Sequence, residues 1–142
     1  MKNKKVLFSS LMLIFLSIMM IGVPVNAATS KKVDVSDDIK RLHYRFDVTV
    51  DQYYEQNVIK DNEFRLKMMN IEKECTKLLE TKKIPRKQKK CLKEIELNSH
   101  TMQFDYRDKN GNKDYSIARG HKALIDERLE KYGLQKYIFE DW

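Results

Sequence analysis

The sequence predicts an all-α fold, an antiparallel bundle of three or four helices, and two observations carry this prediction. Apolar residues recur at three- and four-residue steps over most of residues 36–132, which is the periodicity of amphipathic helices. No stretch alternates for long between apolar and polar residues as a half-buried strand does. The best strand candidate, Val48-Thr49-Val50, has helical periodicity on both sides. We therefore expect helices packed around one core.

Residues 1–27 have the layout of a secretory signal peptide. Three lysines precede an uncharged run from Val6 to Val25, and Val25-Asn26-Ala27 supplies the small residues of a cleavage site. We expect cleavage after Ala27, which places the protein outside the cell or on the extracellular face of the cell envelope. The alternative is a retained membrane anchor, because an uncharged run of this length can cross a bilayer.

The remaining chain is expected to consist of a short leader and one domain. Residues 28–35 are polar and basic and are predicted to be a flexible leader, and residues 36–142 are predicted to form a single helical domain. Residues 28–142 contain 25 basic and 21 acidic residues, a net charge of +4. This charge is small for a nucleic-acid-binding protein, so we expect no nucleic-acid partner. Lysine outnumbers arginine 21 to 7, which favours a bacterial source.

The first helix is predicted to begin at Ser36-Asp37-Asp38, with Ser36 as its capping residue and two acidic residues in its first turn. Residues 39–82 form either one long helix or two helices separated near Asp61. We favour two, because one continuous helix would bury the polar Asn57 and Lys60. It would also be about 66 Å long at 1.5 Å per residue, which exceeds the width of a domain of this size.

A helical hairpin is predicted around Lys83-Ile84-Pro85, the one strong turn signal in the middle of the chain. Residues on its two sides mirror each other about position 83. Two antiparallel helices that cross at a shallow angle would place the mirror pairs face to face. The pairs are Cys75 with Cys91, Ile71 with Ile95, Met68 with Asn98, and Phe64 with Met102.

The two cysteines are predicted to form one interhelical disulfide. Two cysteines in an exported chain are typical of a structural bridge, and no Cys-x-x-Cys redox motif is present. The mirror relation places Cys75 opposite Cys91. A bridge there would stabilise the hairpin by about 3 kcal/mol on the chain-entropy estimate.

The last helix is predicted to follow residues 109–113, the clearest loop in the chain. Asp114 is positioned to cap this helix, and Gly133 is positioned to end it in the left-handed conformation. Between them, apolar residues and one histidine recur on a single face: Ile117, His121, Leu124, Ile125, Leu129 and Tyr132.

A cluster of basic residues surrounds the predicted hairpin turn, and we name it the basic tip. It contains no acidic residue and consists of Lys82, Lys83, Arg86, Lys87, Lys89, Lys90 and Lys93. Such a cluster attracts polyanions. The plain alternative is a solvated turn that keeps the protein soluble.

An acidic stripe and three histidines are the other candidates for a site. Asp47, Asp51 and Glu55 are spaced four residues apart on the first helix. Such a stripe is most often plain surface, although it can also hold a divalent cation or face basic residues. The three histidines, His43, His100 and His121, lack metal-binding spacing, and a zinc site would need them to converge from separate helices.

The function predicted from the sequence is non-enzymatic binding. No phosphate-binding glycine loop, nucleophile elbow or haem motif is present, so we predict no catalytic residue, no cofactor and no bound metal. We predict an exported protein of the bacterial cell envelope whose basic tip contacts an anionic component: acidic lipid, wall polymer or acidic protein. The alternatives are a small exported helical enzyme or enzyme inhibitor with a site between helices, and a membrane-tethered accessory subunit held by an uncleaved N-terminal helix. The sequence leaves the oligomeric state open.

Overall fold

We describe residues 30–134 of the chain, as given by a computed structural model. These residues contain no strand and form four helices: α1 (Ser36–Tyr54), α2 (Asp61–Thr81), α3 (Arg86–Met102) and α4 (Tyr115–Lys131). The predicted all-helical class is confirmed over this range. The predicted signal peptide, residues 1–27, lies outside the described residues. Among the four helices, none combines the length and the apolar character needed to cross a bilayer.

The helices run alternately up and down. Arg41 near the start of α1 contacts Glu74 near the end of α2, whereas Tyr53 at the end of α1 contacts Asp61 at the start of α2. Helix α1 also contacts α3 across the centre of the bundle, while α2 and α4 lie on either side of this pair without contacting each other. This is the connectivity of an antiparallel four-helix bundle with short loops.

The predicted apolar stripes of α2 and α3 form the core, whereas on α4 the prediction holds only in part, because Leu124 is exposed. The eight hairpin positions named above are all buried, and α1 and α4 add Ile39, Leu42, Phe46, Val50, Tyr53, Ala118, Ile125 and Leu129. At one end of the core the rings of Tyr53 and Phe64 stack with their centres 4.3 Å apart. Each large apolar side chain removed from water stabilises the fold by about 1.5–3 kcal/mol.

Residues 39–82 form two helices, as favoured from the sequence. Asn57 takes the left-handed conformation, with φ of 53°, which ends α1 because the chain then turns away from the helix axis. Asn57 and Lys60, which a continuous helix would bury, are both exposed. Helix α2 then begins at Asp61, whose negative charge suits the positive end of the helix dipole.

The predicted disulfide between Cys75 and Cys91 is not formed, so this part of the prediction is wrong. Both residues are buried free thiols. The hairpin itself is present, but its helices meet in a different register. The mirror relation pairs position 76 with position 90, whereas Thr76 Oγ1 donates to Glu96 Oε1 at 2.6 Å. The Cys91 thiol lies instead 3.9 Å from the backbone oxygen of Arg128 in α4.

The direction of side chains on a helix accounts for this shift in register. Side chains lean toward the N-terminus of their own helix. In the α2–α3 hairpin, the side chains of α2 therefore lean away from the turn and those of α3 lean toward it. A residue of α2 consequently meets a residue of α3 that lies farther from the turn than its mirror position. His100 against Glu72, at 2.9 Å, shows the same displacement as Thr76 against Glu96.

The described part of the expected flexible leader, residues 30–35, packs against the hairpin turn. The Val33 amide donates to the backbone oxygen of Lys83 at 2.8 Å, and the amide of the buried Val35 donates to Gln88 Oε1 at 2.9 Å. Gln88 Nε2 donates to Asp34 Oδ1 at 2.7 Å. Residues 33–35 are thus held by hydrogen bonds, and the chain enters the bundle at the turn between α2 and α3.

The predicted signals at both ends of α4 are confirmed. Asp114 caps the helix, because its Oδ1 atom accepts a hydrogen bond from the Ser116 amide at 2.8 Å. Gly133 has φ of 69°, and the Leu134 amide folds back to the Leu129 oxygen at 2.9 Å. Between α3 and α4, Asp108 Oδ1 accepts the amides of Asn110 and Asn112 and fixes the predicted loop.

Candidate functional site

The basic tip forms one end of the bundle, and all seven of its side chains are exposed. Lys82 and Lys83 lie in the turn between α2 and α3, and the other five extend over the first two turns of α3. The short turn and the buried Ile84 hold these positions against the core.

Most charges of the basic tip have no acidic partner within residues 30–134. Lys82 lies 3.9 Å from Asp38, and Lys90 lies over the ring of Tyr132 at 5.8 Å from its centre. Hydrogen bonding to Lys90 holds the pKa of Tyr132 below its usual range. The remaining five have neither an ion pair nor a hydrogen bond to an acid in the described structure: Lys83, Arg86, Lys87, Lys89 and Lys93.

The start of α3 adds to the positive potential of the basic tip. Helix α3 has no acidic residue in its first turn, and Pro85 at its N-cap position supplies no side-chain hydrogen bond to the helix amides. A helix N-terminus carries roughly half a positive charge from its aligned peptide dipoles. Cations and the positive end of the dipole therefore coincide, an unfavourable arrangement that a bound anion would relieve.

Two lysines that were not assigned to the basic tip from the sequence lie beside it. Lys31 and Lys32 are exposed, and the hydrogen bond from the next residue, Val33, to Lys83 holds this segment at the turn. They are 51 and 50 residues away from Lys82 in sequence, so no local pattern reveals their position. Asp34 lies in the same segment and hydrogen-bonds to Ser36 and Gln88, so the local charge is mixed there.

The acidic stripe does not behave as plain surface along its whole length. Asp47 is buried, Asp51 is half-buried, and Glu55 is exposed. Lys122 of α4 donates to Asp51 Oδ1 at 2.9 Å and lies 3.9 Å from Asp47 Oδ1. Burial lowers the pKa of Lys122, but the hydrogen bond to Asp51 and the charge of Asp47 outweigh it, so the pKa is raised. The stripe therefore faces a basic residue of the same chain, one of the alternatives considered from the sequence.

A histidine joins the acidic stripe between α1 and α4. His43 is 2% exposed, and its Nε2 atom lies 2.8 Å from Asp126 Oδ1 and 3.8 Å from Asp47 Oδ2. The four-residue spacing of His43 and Asp47 places them on one face of α1. Asp126 was not predicted, because only the packing of α4 on α1 brings it to this position.

The other two histidines lie apart from this cluster and from each other. His100 contacts Glu72 on the exposed side of the α2–α3 hairpin at 2.9 Å. His121 contacts Asn98 Oδ1 through its Nδ1 atom at 2.7 Å. Burial lowers the pKa of His121, and the charge of Asp105 opposes this only in part. The three histidines do not converge.

A groove lies elsewhere, on the open side of the α2–α3 hairpin. It has a volume of about 410 Å³ and is lined by side chains that include Glu72, Lys73, Thr76, Glu80 and His100. Its lining carries both acidic and basic residues and includes the exposed contact between His100 and Glu72. Comparison of the chain with protein-family models, with curated proteins and with solved structures gives no match.

Proposed function

We propose that this protein is an exported, non-enzymatic binding protein of the bacterial cell envelope that attaches to an anionic component through its basic tip. The single observation that carries the proposal is the exposure of seven basic side chains at one end of the bundle, five of them without an acidic partner in residues 30–134. The chemistry that such a surface recognises is phosphate or carboxylate, as presented by acidic lipids, wall polymers or acidic proteins.

The energy available from the basic tip is sufficient for weak attachment. Each basic residue close to an acidic membrane contributes about 1 kcal/mol, within a Debye length of about 8 Å at physiological salt. The five tip residues without an acidic partner in residues 30–134 lie within eleven positions of one turn and its following helix, so several can approach the same surface together. The uncapped start of α3 adds amides that favour an anion.

A membrane-tethered accessory subunit is a second candidate, and one observation favours it. The described chain enters the bundle at the basic tip, where Val33 hydrogen-bonds to Lys83. If residues 1–27 were retained as an anchor, the tip would be the end from which the bundle is connected to it. Intact-mass analysis distinguishes the two, because a secreted protein would begin at or near Ala28.

A small exported enzyme or enzyme inhibitor with a site between helices is the third candidate. The observation in its favour is the buried pair His43 and Asp47 beside Asp126. The described groove on the α2–α3 hairpin is lined by other residues. We therefore place binding through the tip first.

A charge-reversal variant of the basic tip tests the proposal. Replacing Lys83, Lys87, Lys89 and Lys93 with glutamate changes the charge by eight units at exposed positions and leaves the Lys82–Asp38 contact in place. We expect the wild-type protein to co-sediment with vesicles of acidic lipid or with isolated anionic wall polymer at low salt, and the variant to remain in solution. Helical circular dichroism should be unchanged, because none of the four side chains is buried.

The matched control carries the same change of charge elsewhere. Lys60, Arg65, Lys73 and Lys109 are exposed and have no ion pair in the described structure, and their replacement with glutamate should weaken binding far less. Equal loss in both variants would indicate a nonspecific charge effect and would contradict binding through the tip. So would wild-type protein that fails to bind either anionic material at low salt.

A further inference from the structure

The interface between α1 and α4 contains a compact set of metal-ligating atoms. His43 and Asp47 come from successive turns of α1, and Asp126 comes from α4. One ligand atom from each residue lies within 4.8 Å of the other two. Atoms bound to one metal ion at about 2.0–2.2 Å lie roughly 3–4 Å from one another, so small side-chain movements would bring these three into one coordination sphere.

The ring nitrogen of His43 is the independent observation that points to a ligand here. His43 is almost completely buried, and its Nε2 atom makes no hydrogen bond in the described structure, although Asp126 Oδ1 is only 2.8 Å away. The distance is short enough for a hydrogen bond, but the two groups are not aligned for one. Buried polar atoms are nearly always satisfied. A buried ring nitrogen that faces two carboxylates without a hydrogen bond is an arrangement that a bound cation would satisfy.

The charges of the cluster also favour a bound cation. Asp47, Asp51 and Asp126 supply three negative charges, and Lys122 supplies one positive charge at 2.9 Å from Asp51. Two of these carboxylates, those of Asp47 and Asp126, face His43. Carboxylate oxygens on two sides of a histidine nitrogen attract a divalent cation.

We propose that His43, Asp47 and Asp126 bind one divalent transition-metal ion, with zinc as the best fit. One imidazole nitrogen and two carboxylate oxygens form a ligand set that suits zinc, and a nitrogen ligand discriminates against calcium and magnesium, which prefer oxygen. The side chain of Asp126 is 47% exposed, so this residue lies where an ion can enter. Three protein ligands leave a fourth position for water. Lys122 and Asp51 lie outside the ligand set.

The ion would join the first helix of the bundle to the last. A metal that binds only the folded state stabilises that state by mass action. The proposal is independent of the basic tip, because the tip residues contribute no ligand. Loss of one property would leave the other unchanged.

The decisive variant is Asp126→Asn, because this half-exposed position can change without disturbing the core. We expect untagged wild-type protein to bind one zinc ion per chain by titration calorimetry, with an increase in Tm, and to give a visible absorption spectrum with cobalt. Asp126→Asn should weaken zinc binding by at least tenfold and remove the cobalt spectrum. Glu127→Gln, the matched control on the neighbouring exposed position of α4, should bind as the wild type does.

His43→Gln tests the nitrogen ligand, with His100→Gln as its control. If His43→Gln unfolds, the Asp126→Asn result still decides the matter. Absence of zinc binding by the wild-type protein would overturn the proposal. Binding that is unchanged in Asp126→Asn, or lost equally in Glu127→Gln, would identify an adventitious surface site and would overturn it as well. Magnesium and calcium should produce no comparable rise in Tm, and an equal rise would contradict the assigned ligand set.

Discussion

At the scale of single residues, Asp61 holds three parts of the fold together at the end opposite the basic tip. Arg107, from the segment between α3 and α4, donates to both of its carboxylate oxygens at 2.8 and 2.9 Å. Tyr53 at the end of α1 donates to the same carboxylate at 2.9 Å. Asp61 itself begins α2, where the helix dipole favours its charge. One carboxylate therefore connects two helices and a loop.

Replacing Asp61 with asparagine should reduce the free energy of unfolding at neutral pH by about 1 kcal/mol, because the ion pair is partly exposed and screened by solvent. The hydrogen bonds from Arg107 hold the pKa of Asp61 below its ordinary value of 3.8. Its contribution is therefore complete above that value and is lost as the pH falls through the lower pKa of the folded state. Urea unfolding of wild type and variant over this range measures the effect.

The two unfolding curves should converge as the solution becomes acidic, since the protonated wild type resembles the variant. Glu127→Gln serves as the control, because Glu127 is exposed and has no ion pair in the described structure. The free energy of unfolding of Glu127→Gln should be close to that of the wild type at every pH. A constant difference between wild type and Asp61→Asn would contradict the assigned role of the charge.

The thiols of the two cysteines lie in different surroundings, and each has its own shift in pKa. Burial raises the pKa of Cys75 far above its usual range, and the neighbouring charge of Glu96 acts in the same direction. Burial raises the pKa of Cys91 to about 11. The thiolate is the reactive form of cysteine, so both groups are protected by position and by protonation.

We expect two free thiols per chain that do not react in the folded protein. An aromatic disulfide reagent at mildly alkaline pH should label almost none of them in native buffer and both of them in denaturant without reductant. The comparison between native and denatured samples is its own control. Finding no reactive thiol in the denatured, unreduced protein would reveal a disulfide and would contradict the free thiols of the structure.

At the scale of helices, the sequence was sufficient to predict where the helices lie in the chain but not how they contact one another. The stripes from Phe64 to Cys75 and from Cys91 to Met102 are buried as expected, because helical periodicity alone decides which face is apolar. The position of the α1 start, the cap at Asp114 and the left-handed Gly133 depend on neighbouring residues only, and they were found, although Val35 and not Ser36 occupies the N-cap position of α1. The register between α2 and α3 was not predicted correctly, because it depends on the direction of side chains in three dimensions.

The candidate sites show the same contrast: residues close together in sequence were predicted, and residues brought together by packing were not. The basic tip is contiguous in sequence and was found, whereas Lys31 and Lys32 come to it through a hydrogen bond between distant segments. His43 and Asp47 share a helix face and were seen separately, as a histidine and as part of a stripe. Asp126 joins them only because α4 packs on α1. No periodicity within one helix contains that information.

At the scale of the whole molecule, charge is distributed unequally along the bundle. The seven residues of the basic tip exceed the net charge of +4 carried by residues 28–142, so the rest of that chain carries a net charge of −3. The far end, around the Asn110–Gly111 loop, instead contains charges paired within the fold, such as Arg107 with Asp61. An anionic surface should therefore orient the protein with its tip toward the surface.

Residue-resolved NMR of the protein with lipid nanodiscs tests this orientation most directly. With nanodiscs of acidic lipid at low salt, amide signals of residues 31–33 and 82–93 should broaden first, while those of residues 108–113 stay sharp. Neutral nanodiscs or high salt should abolish the broadening, because the attraction is electrostatic. Broadening centred on residues 108–113, or no difference between acidic and neutral nanodiscs, would contradict attachment through the basic tip.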